Sequence, residues 1–165
     1  MLTAKVKKAL PYTLCLLLGA ATYLLLSRNI EIALYPHKSL LSLLFGYRFD
    51  FMENVGYVQS GGLFVVARSC LGTNLFLSLF LMMTLGFLPK YAGLRRKFTA
   101  VSAFYGLSLG LAFVITVLRI SLSLPFCGHD RFVAIHNVLS LIVYFVSVLF
   151  VYILMEKKTR KVCVS

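Results

Sequence analysis

The sequence predicts an all-α integral membrane protein with about four transmembrane helices. Hydrophobic residues make up 60% of the 165-residue chain and charged residues only 13%, whereas soluble domains average about 45–50% and 25%. Four apolar stretches approach the roughly 20 residues that a helix needs to cross a bilayer. They lie at residues 9–26, 71–88, 98–118 and 132–155. This leaves no room for a second domain, so residues 1–165 are expected to form a single polytopic membrane domain.

The net charge of +12 follows the predicted topology. With the amino terminus on the cytoplasmic side, the inner segments contain eleven basic residues against the single acid Glu156. The basic residues are Lys5, Lys7, Lys8, Lys90, Arg95, Arg96, Lys97, Lys157, Lys158, Arg160 and Lys161. The outer segments are nearly balanced, as the positive-inside rule requires. We therefore expect cytoplasmic termini and a chain surrounded by the lipid bilayer, and we expect no nucleic-acid partner.

The first apolar stretch could instead be a secretory signal peptide, because basic residues precede it and small residues lie within it. No small-x-small cleavage pattern follows at residues 24–28, where the apolar run ends. The stretch is also long enough to span a bilayer. Together these observations favour a transmembrane helix.

The outer segment between the first two helices contains two expected elements. Residues 39–46 are apolar but too short to cross, which favours a short interfacial helix. Residues 47–67 are rich in strand formers, and the Ser-Gly-Gly run at 60–62 is a turn signal. We expect a short outer-face β-hairpin, with strands at 57–58 and 63–66, that caps the bundle before the second transmembrane helix.

Three polar residues, Cys70, Arg119 and His136, are predicted to meet at the outer end of the bundle. Cys70 precedes the second helix, and His136 lies one turn into the fourth. At ~1.5 Å per residue, Arg119 lies about 31 Å along the third helix, near the outer edge of a ~30 Å hydrocarbon core. Ionisable side chains are costly in a bilayer and usually face the bundle interior. This convergence indicates a functional site.

The chemistry of these three residues fits nucleophilic catalysis. At a helix amino terminus and near an arginine, Cys70 would favour the thiolate, which is the nucleophilic form. His136 could take and return a proton, and Arg119 could stabilise an oxyanion or bind a carboxylate. Each also has a purely structural interpretation. Cys70 could be a packing residue, His136 an interhelical hydrogen bond and Arg119 an anchor at a helix end.

Gly72 and Asn74 are candidate substrate-binding residues. Gly72 would let a substrate backbone or a neighbouring helix approach Cys70. Asn74 is expected on the same helix face as Cys70, one turn later, where it could orient the thiol or the substrate, or bond to a neighbouring helix. The run Cys127-Gly128-His129-Asp130 contains metal-ligand types, but its spacing matches no closed zinc site. We therefore expect no metal and no cofactor. A disulfide between Cys70 and Cys127 would remove the nucleophile, and the sequence leaves that pairing open.

In order and context these residues resemble the exosortases and archaeosortases, most closely the short form called exosortase K. The resemblance covers roughly residues 56–150. Cys70 with Gly72, Arg119 after an apolar helix, and His136 opening the last helix occur in the order that the family has. Many members have other residues where this chain has Leu71 and Thr116, and the longer enzymes have extra helices. The lack of those extra helices concerns substrate range more than chemistry.

The resemblance implies a membrane cysteine transpeptidase or protease at the outer face of the bacterial plasma membrane. Its substrates would be membrane-anchored exported proteins ending in a sorting signal of the PEP-CTERM type, which is a short motif, a transmembrane helix and a basic tail. Cys70 would attack a peptide carbonyl to form a thioester, Arg119 would stabilise the oxyanion, and His136 would handle the proton. An amine or water would then release the product.

A small non-enzymatic membrane protein, such as a transporter subunit or an assembly factor, is the alternative from another class. In such a protein Arg119 and His136 would serve only as interhelical polar contacts. A third interpretation is an outer-face metalloenzyme that uses Cys127 and His129. A reactive thiol at Cys70 would favour the cysteine enzyme over the non-enzymatic protein. Bound metal would identify the metalloenzyme.

Overall fold

The computed structural model describes residues 4–62, 64–127 and 132–164. The helices are α1 (Ala4–Arg28), α2 (Ile30–Phe45), α3 (Thr73–Phe87), α4 (Leu94–Ser123) and α5 (Phe132–Val164). Between α2 and α3 lie the strands β1 (Phe49–Met52), β2 (Gly56–Gln59) and β3 (Val65–Val66). Single 3-10 turns occupy Arg68–Leu71, Leu88–Lys90 and Leu124–Phe126.

Four helical segments among the described residues are long and apolar enough to cross a membrane, as the sequence predicts. They are Ala9–Arg28, Arg68–Lys90, Leu94–Phe126 and Phe132–Lys157. Each extends past the predicted apolar run at one end or at both. Hydropathy ends a predicted span at the first charged residues, whereas the backbone hydrogen bonds of a helix continue through residues such as Arg95 and Arg119.

α3 is the central helix of the bundle. Half of its most apolar window is buried, against 6% for α5, whose aliphatic side chains face outward. On α3, Phe76, Phe80, Met83 and Phe87 recur every three or four residues and form one fully buried stripe. Tyr105 of α4 packs edge-on against Phe76 and Phe80, with ring centroids 5.6 Å from each. Close packing of this kind holds helices together where the surroundings are themselves apolar.

Pairs of hydroxyl groups connect the peripheral helices α1 and α5 to this core. The hydroxyls of Thr22 in α1 and Tyr105 in α4 lie 2.8 Å apart. On the other side, the Tyr144 hydroxyl of α5 donates to the Ser78 hydroxyl of α3. Contacts of this type contribute about 0.6 kcal/mol each in membrane bundles. They therefore orient α1 and α5 more than they stabilise them.

α2 is longer than the predicted interfacial helix at 39–46. It begins at Ile30, immediately after α1, and runs for 16 residues to a left-handed Gly46. Leu34, His37 and Leu41 recur at helical spacing and are buried in one stripe. This stripe, rather than mean hydropathy, determines the extent of the helix. Hydropathy fails here because Pro36, His37 and Lys38 interrupt the first half.

A three-stranded antiparallel sheet in the order β1-β2-β3 lies beside α2. The predicted hairpin is present, because β2 pairs with β3 through Tyr57 opposite Val66 and Val58 opposite Val65. The sheet has one strand more than expected, since β1 pairs with β2 across a turn in which Asn54 is left-handed. We call the end of the bundle that carries α2 and this sheet the capped end.

Candidate functional site

Cys70 lies in the 3-10 turn Arg68–Leu71, between β3 and α3 at the capped end. Its backbone N–H donates to the Ala67 carbonyl at 2.8 Å, and the side chain is 7% exposed. The sequence predicts Cys70 at the amino terminus of the second long helix. The α-helix instead begins at Thr73, after a left-handed Gly72 with φ of 66°. Cys70 therefore precedes the helix in a turn of its own. The prediction that Asn74 shares a helix face with Cys70 is wrong, because Gly72 breaks the helical backbone between them and the two residues line different spaces.

Gly72 is the point at which the backbone entering α3 approaches α4 most tightly. A β-carbon built on Gly72 would lie 2.2 Å from the Thr116 Oγ1 and 3.4 Å from the Ala112 carbonyl oxygen. Both neighbours belong to α4 and are buried. Of the two predicted uses of Gly72, the approach of a neighbouring helix is therefore the one that the contacts explain.

Cys70 and His136 line the same cavity, which has a volume of about 210 Å³. Ser123 and Cys127 also line it, together with apolar side chains that include Ile120 and Phe132. Cys70 and Cys127 are both free thiols, so the disulfide that the sequence left open does not form in this structure. The predicted thiol and the predicted base therefore share a small, largely apolar space.

Arg119 lies on the other side of the segment that contains Cys70. Its Nη2 donates to the Ser69 carbonyl at 3.3 Å. Its Nε is buried and has no hydrogen-bond partner among the described residues. Arg119 lines a second space, a cleft of about 700 Å³, and not the smaller cavity. The three predicted residues thus gather at the capped end, with Arg119 separated from the cavity by Ser69.

The 700 Å³ cleft is bordered by α1, α3, α4 and α5. Gly72 and Asn74, the two predicted substrate-binding residues, both line it, as do Arg68 and Arg119. None of the described residues that line the cleft is acidic. Residues with hydroxyl side chains, such as Ser140 and Tyr144, and the amide-bearing Asn137 also line it. The cleft is therefore positively charged and rich in hydrogen-bonding groups.

Ser123 is a site residue that the sequence did not single out. Its side chain is 3% exposed, and its Oγ lies 3.0 Å from the His136 Nδ1. The same hydroxyl donates to the Arg119 carbonyl one turn earlier, at 2.8 Å. Ser123 therefore connects the helix that carries Arg119 to the histidine of α5. The four-residue spacing from Arg119 was the only signal for it in the sequence.

His37 of α2 is a second residue that the sequence did not single out. It is 5% exposed, and its ring packs edge-on against Phe113 with centroids 4.8 Å apart. Burial, together with the nearby charge of Arg119, lowers the pKa of His37 to about 4. The Ala33 carbonyl favours the protonated ring, although neither ring nitrogen reaches a hydrogen bond of normal geometry. The ring is therefore neutral at neutral pH.

The third interpretation, a metal site at Cys127 and His129, cannot be built from the described residues. Cys127 lines the small cavity, and its thiol contacts the Ser123 carbonyl at 4.0 Å. Gly128, His129 and Asp130 lie outside the described residues. Within the described part of the chain, no group of three or more possible metal-ligating side chains comes together.

The comparisons with known proteins add nothing to this geometry. The expected family rests on the order of Cys70, Arg119 and His136 in the sequence, and membership of it stays a prediction. The chain matches no protein-family model, no curated protein and no solved structure.

Proposed function

We propose that the chain is a membrane cysteine transpeptidase or protease of the exosortase type. The observation that carries the proposal is that Cys70 and His136 line one cavity at the capped end, where a turn and a helix start bring them together. Proton transfer between a thiol and an imidazole is the first requirement of a cysteine nucleophile. It needs the Cys70 Sγ and a His136 ring nitrogen to come within hydrogen-bond reach, directly or through one water, which a shared cavity allows.

The proposed reaction has two steps. The Cys70 Sγ attacks the carbonyl carbon of a substrate peptide bond while His136 takes the thiol proton, and a tetrahedral oxyanion forms. Collapse of the oxyanion breaks the C–N bond, and His136 returns the proton to the departing amine, leaving a thioester on Cys70. An acceptor amine or water then attacks the thioester carbonyl, and the thiol is released.

Arg119 supplies the positive charge in this proposal. Its Nη2 now donates to the Ser69 carbonyl, one residue before Cys70. The oxyanion of a bound substrate would replace that neutral carbonyl as the acceptor, because a charged acceptor forms the stronger hydrogen bond. The buried Nε, which has no hydrogen-bond partner among the described residues, would be a further donor. Because Arg119 lines the cleft and Cys70 the neighbouring cavity, this role requires Arg119 to release the Ser69 carbonyl and its guanidinium to reach past Ser69 toward Cys70.

The 700 Å³ cleft is the proposed route for the substrate. It is partly open to the surroundings, and Asn74 and Gly72 line it beside the turn that holds Cys70. A substrate with a short motif, a transmembrane helix and a basic tail could lie along the outward-facing apolar surface of α5. Its scissile bond would then reach the capped end. We place this end on the extracytoplasmic face of a bacterial plasma membrane, with both termini cytoplasmic.

The alternative is a small non-enzymatic membrane protein, and two contacts favour it. Arg119 bonds the Ser69 carbonyl, and His136 bonds Ser123, so both side chains already have partners that join separate elements. Hydrogen bonds of this kind are typical of interhelical polar contacts. In a transporter subunit or an assembly factor, these bonds would be the whole function of the two residues.

Replacing Cys70 tests the proposal. We expect Cys70→Ala and Cys70→Ser to lower cleavage of a co-expressed sorting-signal protein by at least about 10³-fold, because the thioester cannot form. Cys127→Ala is the matched control, since Cys127 lines the same cavity and is also a free thiol. Immunoblotting of the substrate in membranes, with equal amounts of each variant, measures the loss. Undiminished cleavage by Cys70→Ala contradicts the proposal.

Thiol labelling separates the enzyme from the alternative. We expect a membrane-impermeant maleimide added to intact cells to label Cys70, and His136→Gln to slow that labelling because the base is lost. The rate at Cys127 in a Cys70→Ala background gives the reactivity of an ordinary thiol in the same cavity. Equal rates at the two thiols, unaffected by His136→Gln, favour the non-enzymatic protein.

A further inference from the structure

We propose that Ser123 is a positioning residue that holds His136 in the tautomer with its proton on Nδ1, which leaves Nε2 unprotonated. The inference deepens the proposed function. The tautomer itself follows from the contacts of Ser123, and only its use in catalysis rests on the proposed function. Its basis is two contacts of one hydroxyl. The Ser123 Oγ lies 2.8 Å from the Arg119 carbonyl oxygen and 3.0 Å from the His136 Nδ1.

The direction of these hydrogen bonds follows from the number of protons. A serine hydroxyl has one proton to donate and two lone pairs to accept with. The Arg119 carbonyl can only accept, so the contact between Ser123 and Arg119 requires the hydroxyl proton to point at the carbonyl. The contact with Nδ1 must then run the other way, with Nδ1–H donating to the Ser123 oxygen. A neutral His136 therefore carries its proton on Nδ1.

The opposite assignment would leave two oxygen atoms in contact without a proton between them. If the hydroxyl donated to Nδ1, the Ser123 Oγ and the Arg119 carbonyl oxygen would face each other at 2.8 Å through lone pairs. At 2.8 Å no water fits between the two oxygens to relieve this repulsion. The Nδ1–H tautomer is the one that satisfies every atom of the group.

This tautomer suits a base that acts on Cys70. The Nε2, which Ser123 does not contact, carries the lone pair that would accept the thiol proton. When His136 becomes charged, the Nδ1–H bond to Ser123 strengthens, and the bond from Ser123 to the Arg119 carbonyl strengthens with it. Ser123 would thus orient the ring and support its protonated form, which is the work of the third group beside a catalytic histidine.

The position of Ser123 in the chain makes it a firm support. It is the last residue of α4, and the 3-10 turn Leu124–Phe126 follows directly. Its backbone is therefore held by the helix on one side and by the turn on the other. Ser140 of α5 provides a contrast, because its Oγ donates to the His136 backbone carbonyl and does not touch the ring.

The tautomer can be read directly from ¹⁵N NMR of histidine-labelled protein in lipid nanodiscs. The His136 signals are assigned by their loss in His136→Gln. We expect the wild type to show a protonated Nδ1 and an unprotonated Nε2 above the pH at which the ring titrates. Ser123→Ala should shift the population toward a protonated Nε2, while Ser123→Thr, which keeps the hydroxyl, should retain the wild-type spectrum. Ser140→Ala is the matched control and should also retain it.

Cleavage of the sorting-signal substrate supplies the second measurement. We expect Ser123→Ala to lower cleavage about 10- to 100-fold and to shift its pH profile, since positioned proton transfer contributes roughly 10²–10⁴-fold. Ser123→Thr should restore both. A protonated Nε2 in the wild type, or an unchanged tautomer in Ser123→Ala, overturns the inference even if Cys70 proves essential. Full cleavage by Cys70→Ala overturns the proposed function and leaves the NMR result to decide the role of Ser123.

Discussion

Gly72→Ala is expected to destabilise the protein by roughly 2–5 kcal/mol, the sum of two effects. Gly72 has φ of 66°, and a residue with a side chain costs about 1–2 kcal/mol in that left-handed region. The new methyl group would also lie 2.2 Å from the Thr116 Oγ1, so either the Thr116 side chain or the backbone around Gly72 must shift. Overpacking of this kind costs about 1–3 kcal/mol. Cys70 precedes Gly72 by two residues, so its turn would move as well.

Two variants separate the contact from the backbone conformation. Gly46 has a similar φ of 70° but no atom within 4 Å of a built β-carbon, so Gly46→Ala should cost only the conformational term. Gly72→Ala combined with Thr116→Ala removes the Oγ1 and should recover most of the overpacking cost. Thermal unfolding in detergent micelles, followed by circular dichroism, measures all three. Equal losses for Gly72→Ala and Gly46→Ala would show that the approach to Thr116 carries no cost.

The long helices could be predicted because their length and apolarity are properties of the sequence itself. The capped end could be predicted only in part. Its hairpin follows from the Ser-Gly-Gly turn at 60–62, but the first half of α2 and strand β1 depend on burial against other elements. Pro36, His37 and Lys38 look like a loop until Leu34, His37 and Leu41 are seen to face the same core. The first half of α2 and strand β1 are therefore determined by tertiary packing and not by the local sequence pattern.

The candidate site could also be predicted only in part. Cys70 and His136 stand near predicted helix ends, so topology alone brings them to one end of the bundle. The separation of Arg119 from their cavity depends on which face of α4 the residue occupies, and hydropathy does not show this. Ser123 carries no motif, and its role depends on a single hydroxyl placed between two elements.

His37→Phe is expected to remove a large part of the pH dependence of stability. The pKa of His37 is lowered to about 4 in the folded protein, whereas an unfolded histidine titrates near 6.5. Above pH ~6.5 the ring is neutral in both states and titration has no effect. As the pH falls from ~6.5 to about 4, His37 becomes protonated in the unfolded chain and stays neutral in the folded protein. The free energy of unfolding therefore falls by up to about 3 kcal/mol.

Phenylalanine keeps the apolar contacts of the position and cannot titrate. The edge-on packing against Phe113 suits a second aromatic ring, and the two ring nitrogens without hydrogen bonds disappear. We therefore expect His37→Phe to equal or exceed the wild type in stability at pH 7.5, and its advantage to grow by about 3 kcal/mol at pH 4. His37→Leu repeats the test with a smaller side chain.

The measurement is the difference between the wild type and His37→Phe, determined by denaturant titration in mixed micelles at several pH values. Taking the difference cancels the carboxylates and His136, which titrate in both proteins. The same difference in the background of Arg119→Gln should shrink, because the charge of Arg119 is one cause of the low pKa of His37. Parallel pH profiles for the wild type and His37→Phe would mean that the ring takes up its proton as freely in the folded protein as in the unfolded chain.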